Sequence, residues 1–145
     1  MRELPRQLSV DQLADLFEGR TALVERLAAV ESPLERADEV LAALNDDEQV
    51  EALNAHPAIG ARRLSQKSAS EQGTDGDPAI LSELAYLNQV YEEKFGFRFV
   101  VFVHGRPKRE ILEVLRERIA RAREEELETG CHELVAIARD RWTSA

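Results

Sequence analysis

Hydrophobic residues recur every three or four positions over most of this chain, with polar residues between them. That spacing puts apolar side chains on one face of an α-helix, so the pattern predicts a succession of amphipathic helices. Capping patterns predict two helix starts, with Ser9 before Gln12 and Ser32 before Pro33 and Glu35. The inward-facing positions of successive predicted helices are Leu13, Leu16 and Phe17; Leu23, Val24, Leu27 and Val30; Leu34, Ala37, Leu41 and Leu44; Val50 and Leu53; Ile80, Leu84, Leu87 and Tyr91; Ile111, Leu115 and Ile119; and Leu127, Cys131, Leu134, Ala138 and Arg141.

The helical rhythm is interrupted at three places. Pro57 disfavours helical geometry at His56, which places this histidine at a helix end. Residues 65–77 are polar and rich in turn formers, and they predict a short helical turn to Gln72 followed by a loop. Residues 95–103 are aromatic and β-branched, but no second segment of this composition exists to pair with them. We therefore expect a buried extended segment or a distorted helix start there, with backbone amides available to a ligand.

The predicted fold is a single compact all-α domain over residues 1–145, with one short extended aromatic segment. The chain is long enough to bury a core, since 43% of its 145 residues are hydrophobic. Its net charge of −9 argues against nucleic acid or an anionic membrane as the main partner. We expect a cytoplasmic protein, because Cys131 has no second cysteine to pair with and neither an apolar span nor a signal-peptide pattern is present.

Chemistry is predicted where the helical pattern breaks. Ser68, Glu71 and Gln72 are spaced three and four apart, so one helical face would present a hydroxyl, a carboxylate and an amide together. Such a face can bind the edge of a small heterocycle. His56 can move protons, because the free imidazole titrates near neutral pH. Taken separately, each of these signals has a simpler structural interpretation. His56 can be a polar residue at a helix end, and Glu71 and Gln72 can belong to the solvated face of a short helix.

Other candidate residues carry weaker signals. Arg98 and Arg106 flank the aromatic segment and can hold a carboxylate, although surface charge is the simpler interpretation of Arg98. His104, Cys131 and His132 fit no common zinc spacing, so we expect no metal. No glycine-rich phosphate loop is present, and nucleotide cofactors are therefore not expected.

Three motifs in order resemble the OHCU decarboxylase family, in which OHCU is 2-oxo-4-hydroxy-4-carboxy-5-ureidoimidazoline. They are His56-Pro57-Ala58-Ile59-Gly60, then Ser68-x-x-Glu71-Gln72, then Tyr91-x-x-Lys94-Phe95-Gly96-Phe97-Arg98-Phe99. The resemblance implies a helical, cofactor-free carboxy-lyase, usually a homodimer, that converts OHCU to (S)-allantoin in urate degradation.

The resemblance also implies roles for individual residues. His56 matches the catalytic histidine and proton donor, and Glu71 assists it in proton handling. The residues implied to bind substrate are Pro57, Ser68, Gln72, the backbone of Phe99, Val100, Val101, Phe102 and Val103, and Arg106.

Departures from the family pattern leave the carboxylate-binding group open among His104, Arg106 and Arg98. Two other functions compete with decarboxylation. One is a hydrolase that acts on a related ureide, with Glu71 activating water. The other is a non-catalytic helical interaction module whose acidic surface binds a basic partner.

Overall fold

The computed structural model describes residues 2–58 and 77–144 of the chain. Those residues form α-helices joined by turns and irregular segments, with no β-strand among them, which confirms the predicted all-α class. None of these helices is both long and apolar enough to cross a membrane. The helices are α1 Val10–Phe17, α2 Ala22–Ala28, α3 Ala37–Ala42, α4 Asp46–Ala55, α5 Pro78–Phe95, α6 Lys108–Ile119 and α7 Arg123–Ser144.

Helix α7, with 22 residues, is the longest of the described helices. It packs against α1, α3 and α4, while α2 packs against α1, α3 and α4 and helix α5 packs against α6. Gly130 lies where α7 meets α4, and the position of a side chain on it would fall 3.2 Å from a methyl carbon of Leu53. A glycine there allows the close approach of the helix that ends at His56. The buried faces of the helices form a core whose largest fully enclosed side chains include Tyr91, Phe17, Phe97, Leu13, Leu23, Leu27, Leu34, Leu41, Leu53, Leu84, Ile111 and Leu115.

Local capping chemistry sets several of the helix boundaries. The Ser9 hydroxyl accepts from the Gln12 amide and the Gln12 side chain accepts from the Ser9 amide, as the sequence predicts. Asn45 and Glu48 make the same reciprocal pair at the start of α4. The Asp77 carboxylate accepts from the Ala79 amide at the start of α5. These contacts satisfy amide donors that the first turn of a helix leaves unbonded.

The predicted helix start at Ser32 is wrong. Helix α3 begins at Ala37, and its N-cap residue Arg36 makes no side-chain capping bond. Ser32 instead adopts a left-handed φ of 50° while its amide donates to the carbonyl oxygen of Arg6 at 2.8 Å. This contact with a distant part of the chain fixes Ser32 in a turn that precedes the helix. The predicted inward stripe still holds, because Leu34, Ala37 and Leu41 are buried.

An irregular segment, residues 97–103, connects α5 to the turn before α6. Gly96 ends α5 in the left-handed conformation, with φ of 81°, so the chain can turn sharply away from the helix. Phe97 and Phe99 then pack against Tyr91, with ring centroids 6.0 and 5.3 Å away. These aromatic residues are therefore core residues, and the segment is buried as predicted.

A buried charge network joins α5, α6 and α7. Glu126 is fully enclosed and accepts hydrogen bonds from the Tyr91 hydroxyl at 2.6 Å, from Arg118 Nε at 2.7 Å and from Arg121 Nη1 at 3.0 Å. Arg118 Nη1 donates to the carbonyl oxygen of Val100 at 2.8 Å. The network therefore also holds the middle of the irregular segment.

Candidate active site

His56 occupies the C-terminal end of α4, as predicted from Pro57. Its backbone is extended, with φ of −79° and ψ of 136°, and its amide donates to the carbonyl oxygen of Leu53 at 3.2 Å. The residue is only 7% exposed. The break before Pro57 thus directs the imidazole to a junction between elements, and Pro57 beside it is half-buried.

The end of α4 is tied to the irregular segment through Arg98. The Arg98 amide donates to the Asn54 side-chain oxygen at 2.9 Å, and Arg98 Nη1 donates to the carbonyl oxygen of His56 at 2.8 Å. Arg98 Nε lies 3.4 Å from a carboxylate oxygen of Glu92. The interpretation of Arg98 as simple surface charge is therefore wrong, because its guanidinium holds the backbone of the candidate catalytic residue.

Burial and nearby cations keep the His56 imidazole neutral near pH 7. Burial is the largest effect, and with the field of Arg141 it lowers the pKa of His56 from 6.5 to about 4. Glu18 opposes this shift and Arg98 adds to it. The imidazole Nδ1 is buried and has no hydrogen-bond partner within residues 2–58 and 77–144. A neutral imidazole can accept a proton or donate its single N–H, so His56 retains both options for a ligand.

Two charged residues beside His56 were missed in the sequence prediction of the site. Arg141 is buried on α7, with Nη2 lying 3.0 Å from Glu18 and Nη1 donating to the carbonyl oxygen of Leu16 at 2.8 Å. A signal for Arg141 was present, since an arginine on an otherwise apolar stripe must have a partner inside the protein. Glu18 gave no such signal, because nothing in the local sequence shows that this residue, which ends α1 with a left-handed φ of 66°, pairs with Arg141.

Side chains hold part of the backbone of the irregular segment. Arg106 donates to the carbonyl oxygens of Phe102 and Val103 at 2.6 and 3.1 Å, and the Phe102 amide donates to a carboxylate oxygen of Glu133 at 3.3 Å. The expectation that this amide is available to a ligand is therefore wrong. The predicted contact between substrate and the backbone of residues 99–103 otherwise stays a prediction. The side chains of Phe99, Val100, Val101 and Val103 belong to the core.

The three candidates for the carboxylate-binding group differ in their surroundings. Arg98 and Arg106 are bonded to main-chain oxygens, whereas His104 is exposed, has a left-handed φ of 48° and packs its ring 4.9 Å from that of Phe102. Arg141 is a fourth candidate, and its charge helps to lower the pKa of the His56 imidazole. The choice among these groups stays open.

Three predicted site residues, Ser68, Glu71 and Gln72, lie outside the described parts of the chain. Their approach to His56 therefore stays a prediction.

A cavity of about 440 Å³ lies between α3, α4 and α7, and His56 is not among its lining residues. The Asp38 carboxylate lies 3.0 Å from Nδ1 of His132 in its lining. Burial is the main cause that raises the pKa of Cys131, in the same lining, to about 12. Over residues 2–58 and 77–144, no group of three or more histidine, cysteine, aspartate or glutamate side chains is arranged to hold a metal ion.

The lowered pKa of His56 predicts a pH-dependent stability. The unfolded chain binds a proton at this histidine near pH 6.5 and the folded chain only near pH 4, so the unfolded state holds more protons between these values. Stability should therefore fall as the pH falls through this window, by up to about 3 kcal/mol from His56 alone. Urea unfolding at pH 7, 5.5 and 4 should show a steeper loss for the wild type than for His56→Asn. An equal loss of stability in the two proteins would show that protonation of His56 does not cause it.

Comparison with known proteins places these features in a family context. The family model described as OHCU decarboxylase matches residues 2–143. Over 97% of its length the chain is 29% identical to the uric acid degradation bifunctional protein PucL of Bacillus subtilis, of which it spans only 31%. It is 27% identical to the 2-oxo-4-hydroxy-4-carboxy-5-ureidoimidazoline decarboxylase of Halalkalicoccus jeotgali, with 95% of this chain and 85% of that protein covered.

A solved structure extends the similarity to three dimensions. The crystal structure of an OHCU decarboxylase in the presence of (S)-allantoin superposes with a TM-score of 0.77 at 25% identity. The match covers 92% of this chain and 96% of that one. The overall helical fold is therefore shared with an OHCU decarboxylase whose crystal structure was determined in the presence of (S)-allantoin.

Proposed function

Because this chain belongs to the OHCU decarboxylase family, we propose that it decarboxylates OHCU to (S)-allantoin in urate degradation, without a cofactor. The observation that carries the proposal is His56 itself. Its imidazole is buried, its Nδ1 has no hydrogen-bond partner among the described residues, and the charges of Glu18, Arg141 and Arg98 act on it. A strongly perturbed titratable group that belongs to a family motif is a good candidate for chemistry.

Decarboxylation requires the site to stabilise charge and to deliver one proton. When the bond between the ring carbon and the carboxylate breaks, carbon dioxide leaves and the electron pair stays on the ring, spread over the adjacent unsaturated groups. Preorganised donors in a site that excludes water stabilise such a charge best. One proton added to one face of the ring then gives a single enantiomer. The substrate serves as its own electron sink, so the residues need only bind, orient and protonate.

His56 is proposed to take part in this proton delivery. It is neutral before substrate binds, and the substrate carboxylate would raise its pKa because an anion stabilises the imidazolium. Arg141, whose charge acts on the imidazole, can stabilise negative charge near it. We place Glu71 beside His56 in proton handling, and Ser68, Gln72, Pro57 and the backbone of residues 99–103 in binding the ring and its ureido group.

Assembly and location belong to the same proposal. We propose a cytoplasmic homodimer, as the family resemblance implies. The partner in catalysis is a small ureidoimidazoline, and the acidic chain, with its net charge of −9, offers little general attraction to nucleic acid.

Turnover of freshly prepared OHCU tests the function. We expect (S)-allantoin, followed by circular dichroism, and carbon dioxide to appear in equal amounts, at an initial rate proportional to protein concentration. Ureide cleavage without release of carbon dioxide would favour the hydrolase instead. Unchanged spontaneous decay of OHCU would leave the interaction module as the better account.

A further inference from the structure

Arg98 is bonded in three directions at the junction between α4 and the irregular segment. Its amide binds Asn54, its Nη1 binds the carbonyl oxygen of His56, and its Nε faces Glu92 on α5. The side chain is 39% exposed, so it lies partly between these elements. Arg98 belongs to the irregular segment, and through these contacts it connects that segment to His56 and to α5.

The contact with His56 is suited to fixing the direction of the imidazole. A hydrogen bond to the carbonyl oxygen holds the peptide plane between His56 and Pro57, and this plane restricts where the Cα–Cβ bond of His56 points. The carbonyl lies at the C-terminal end of α4, where unbonded carbonyl oxygens attract a cation. Glu92 lies 3.4 Å from Nε on another edge of the guanidinium, so Arg98 contacts α5 as well as His56.

We propose that Arg98 is a positioning residue for the decarboxylation: it holds His56 at a fixed distance and angle from residues 99–103. This inference deepens the proposed function and depends on it. The planar guanidinium of arginine can bind a carbonyl oxygen with one nitrogen and a carboxylate with another. The ammonium group of lysine, which acts as a point charge, fits this role less well. Displacement of a catalytic group by about 1 Å can lower a rate by about 100-fold, so positioning has measurable consequences.

Two substitutions separate position from charge. Arg98→Met removes both the hydrogen bonds and the charge but keeps a long apolar stem, and we expect it to lower kcat by about 10-fold with a smaller change in KM. Arg98→Lys keeps the charge but cannot bridge His56 and Glu92 as a fork, and we expect a smaller fall in kcat. Arg116→Met serves as the matched control, because Arg116 is similarly exposed and pairs with Glu83 and Glu113.

The imidazole itself provides the second measurement. His56, His104 and His132 are the histidines of the chain, so their ring resonances can be assigned with single variants. Among the described residues, Glu18, Arg141 and Arg98 are the charged groups that act on His56, and loss of the Arg98 cation should raise the His56 pKa. The His56 pKa should therefore rise in Arg98→Met and stay near the wild-type value in Arg98→Lys. The His56 ring shift should move in both variants and stay unchanged in Arg116→Met.

The outcomes distinguish this inference from the proposed function. A folded Arg98→Met protein with wild-type kcat and an unmoved His56 ring resonance would overturn the positioning role. If Arg98→Met does not fold, the same two measurements are made on Arg98→Lys, and a wild-type kcat with an unmoved His56 ring resonance would again overturn the positioning role. Absence of turnover in the wild type would count against the decarboxylase, whereas the ring shifts, measured without substrate, would still test whether Arg98 orients His56.

Discussion

Replacing His56 by asparagine should lower the rate of (S)-allantoin formation by at least about 100-fold, since proton transfer by a positioned side chain contributes 10²–10⁴-fold to catalysis. Asparagine is smaller, planar and able to hydrogen bond, but it does not exchange protons near neutral pH. The fold should persist, because the interactions that hold the end of α4 use the His56 backbone, to which Leu53 and Arg98 are bonded.

The measurement is the initial rate of (S)-allantoin formation from fresh OHCU, corrected for spontaneous decay. Far-ultraviolet circular dichroism and urea unfolding establish that the variant is folded. His132→Asn is the matched control, because His132 lies exposed on α7 and pairs with Asp38 away from His56. Wild-type rates in folded His56→Asn protein would remove His56 from the mechanism.

Replacing Glu126 by glutamine should destabilise the protein by about 3–5 kcal/mol, because it removes one partner of a buried ion pair and leaves the other charged. Arg118 is 5% exposed, and its Nη2 already has no hydrogen-bond partner. Its guanidinium lies 4.6 Å from the centroid of the Phe99 ring, so the uncompensated charge would remain inside the aromatic core. The hydrogen bond from the Tyr91 hydroxyl would weaken as well.

Urea unfolding at pH 7 measures this loss. Glu128→Gln, at an exposed position of the same helix, is the control and should change stability by less than about 0.5 kcal/mol. The double variant Arg118→Met with Glu126→Leu should recover part of the loss, because it removes both buried charges. A loss in Glu126→Gln no larger than in the exposed control would show that the buried network contributes little to stability.

The sequence predicted most strongly what depends on local interactions. The Ser9 capping box and the break at His56 need only neighbouring residues, and both are confirmed. The stripe of α7 is confirmed as well, and it includes Arg141 because a repeating pattern places even a polar residue correctly on a helix face. The prediction of a helix start at Ser32 was wrong because a hydrogen bond to Arg6 fixes the conformation of Ser32. No local pattern reveals that contact.

The environment of the candidate site depends on contacts between distant parts of the chain. Glu18 and Arg141 come from near the two ends of the chain, and Arg98 reaches His56 from the irregular segment. A one-dimensional pattern could identify His56 as a helix-end residue, but it could not show that burial and two arginines lower its pKa. The pKa of a free imidazole therefore does not describe His56 in the folded protein, where it is lowered to about 4.

The most direct test of the account is a crystal structure of this chain with bound (S)-allantoin. The product ring should lie within hydrogen-bond distance of both the His56 imidazole and the Glu71 carboxylate, with the backbone of residues 99–103 against it. Binding in the cavity beside Cys131, or His56 and Glu71 on opposite sides of the protein, would contradict the proposed site.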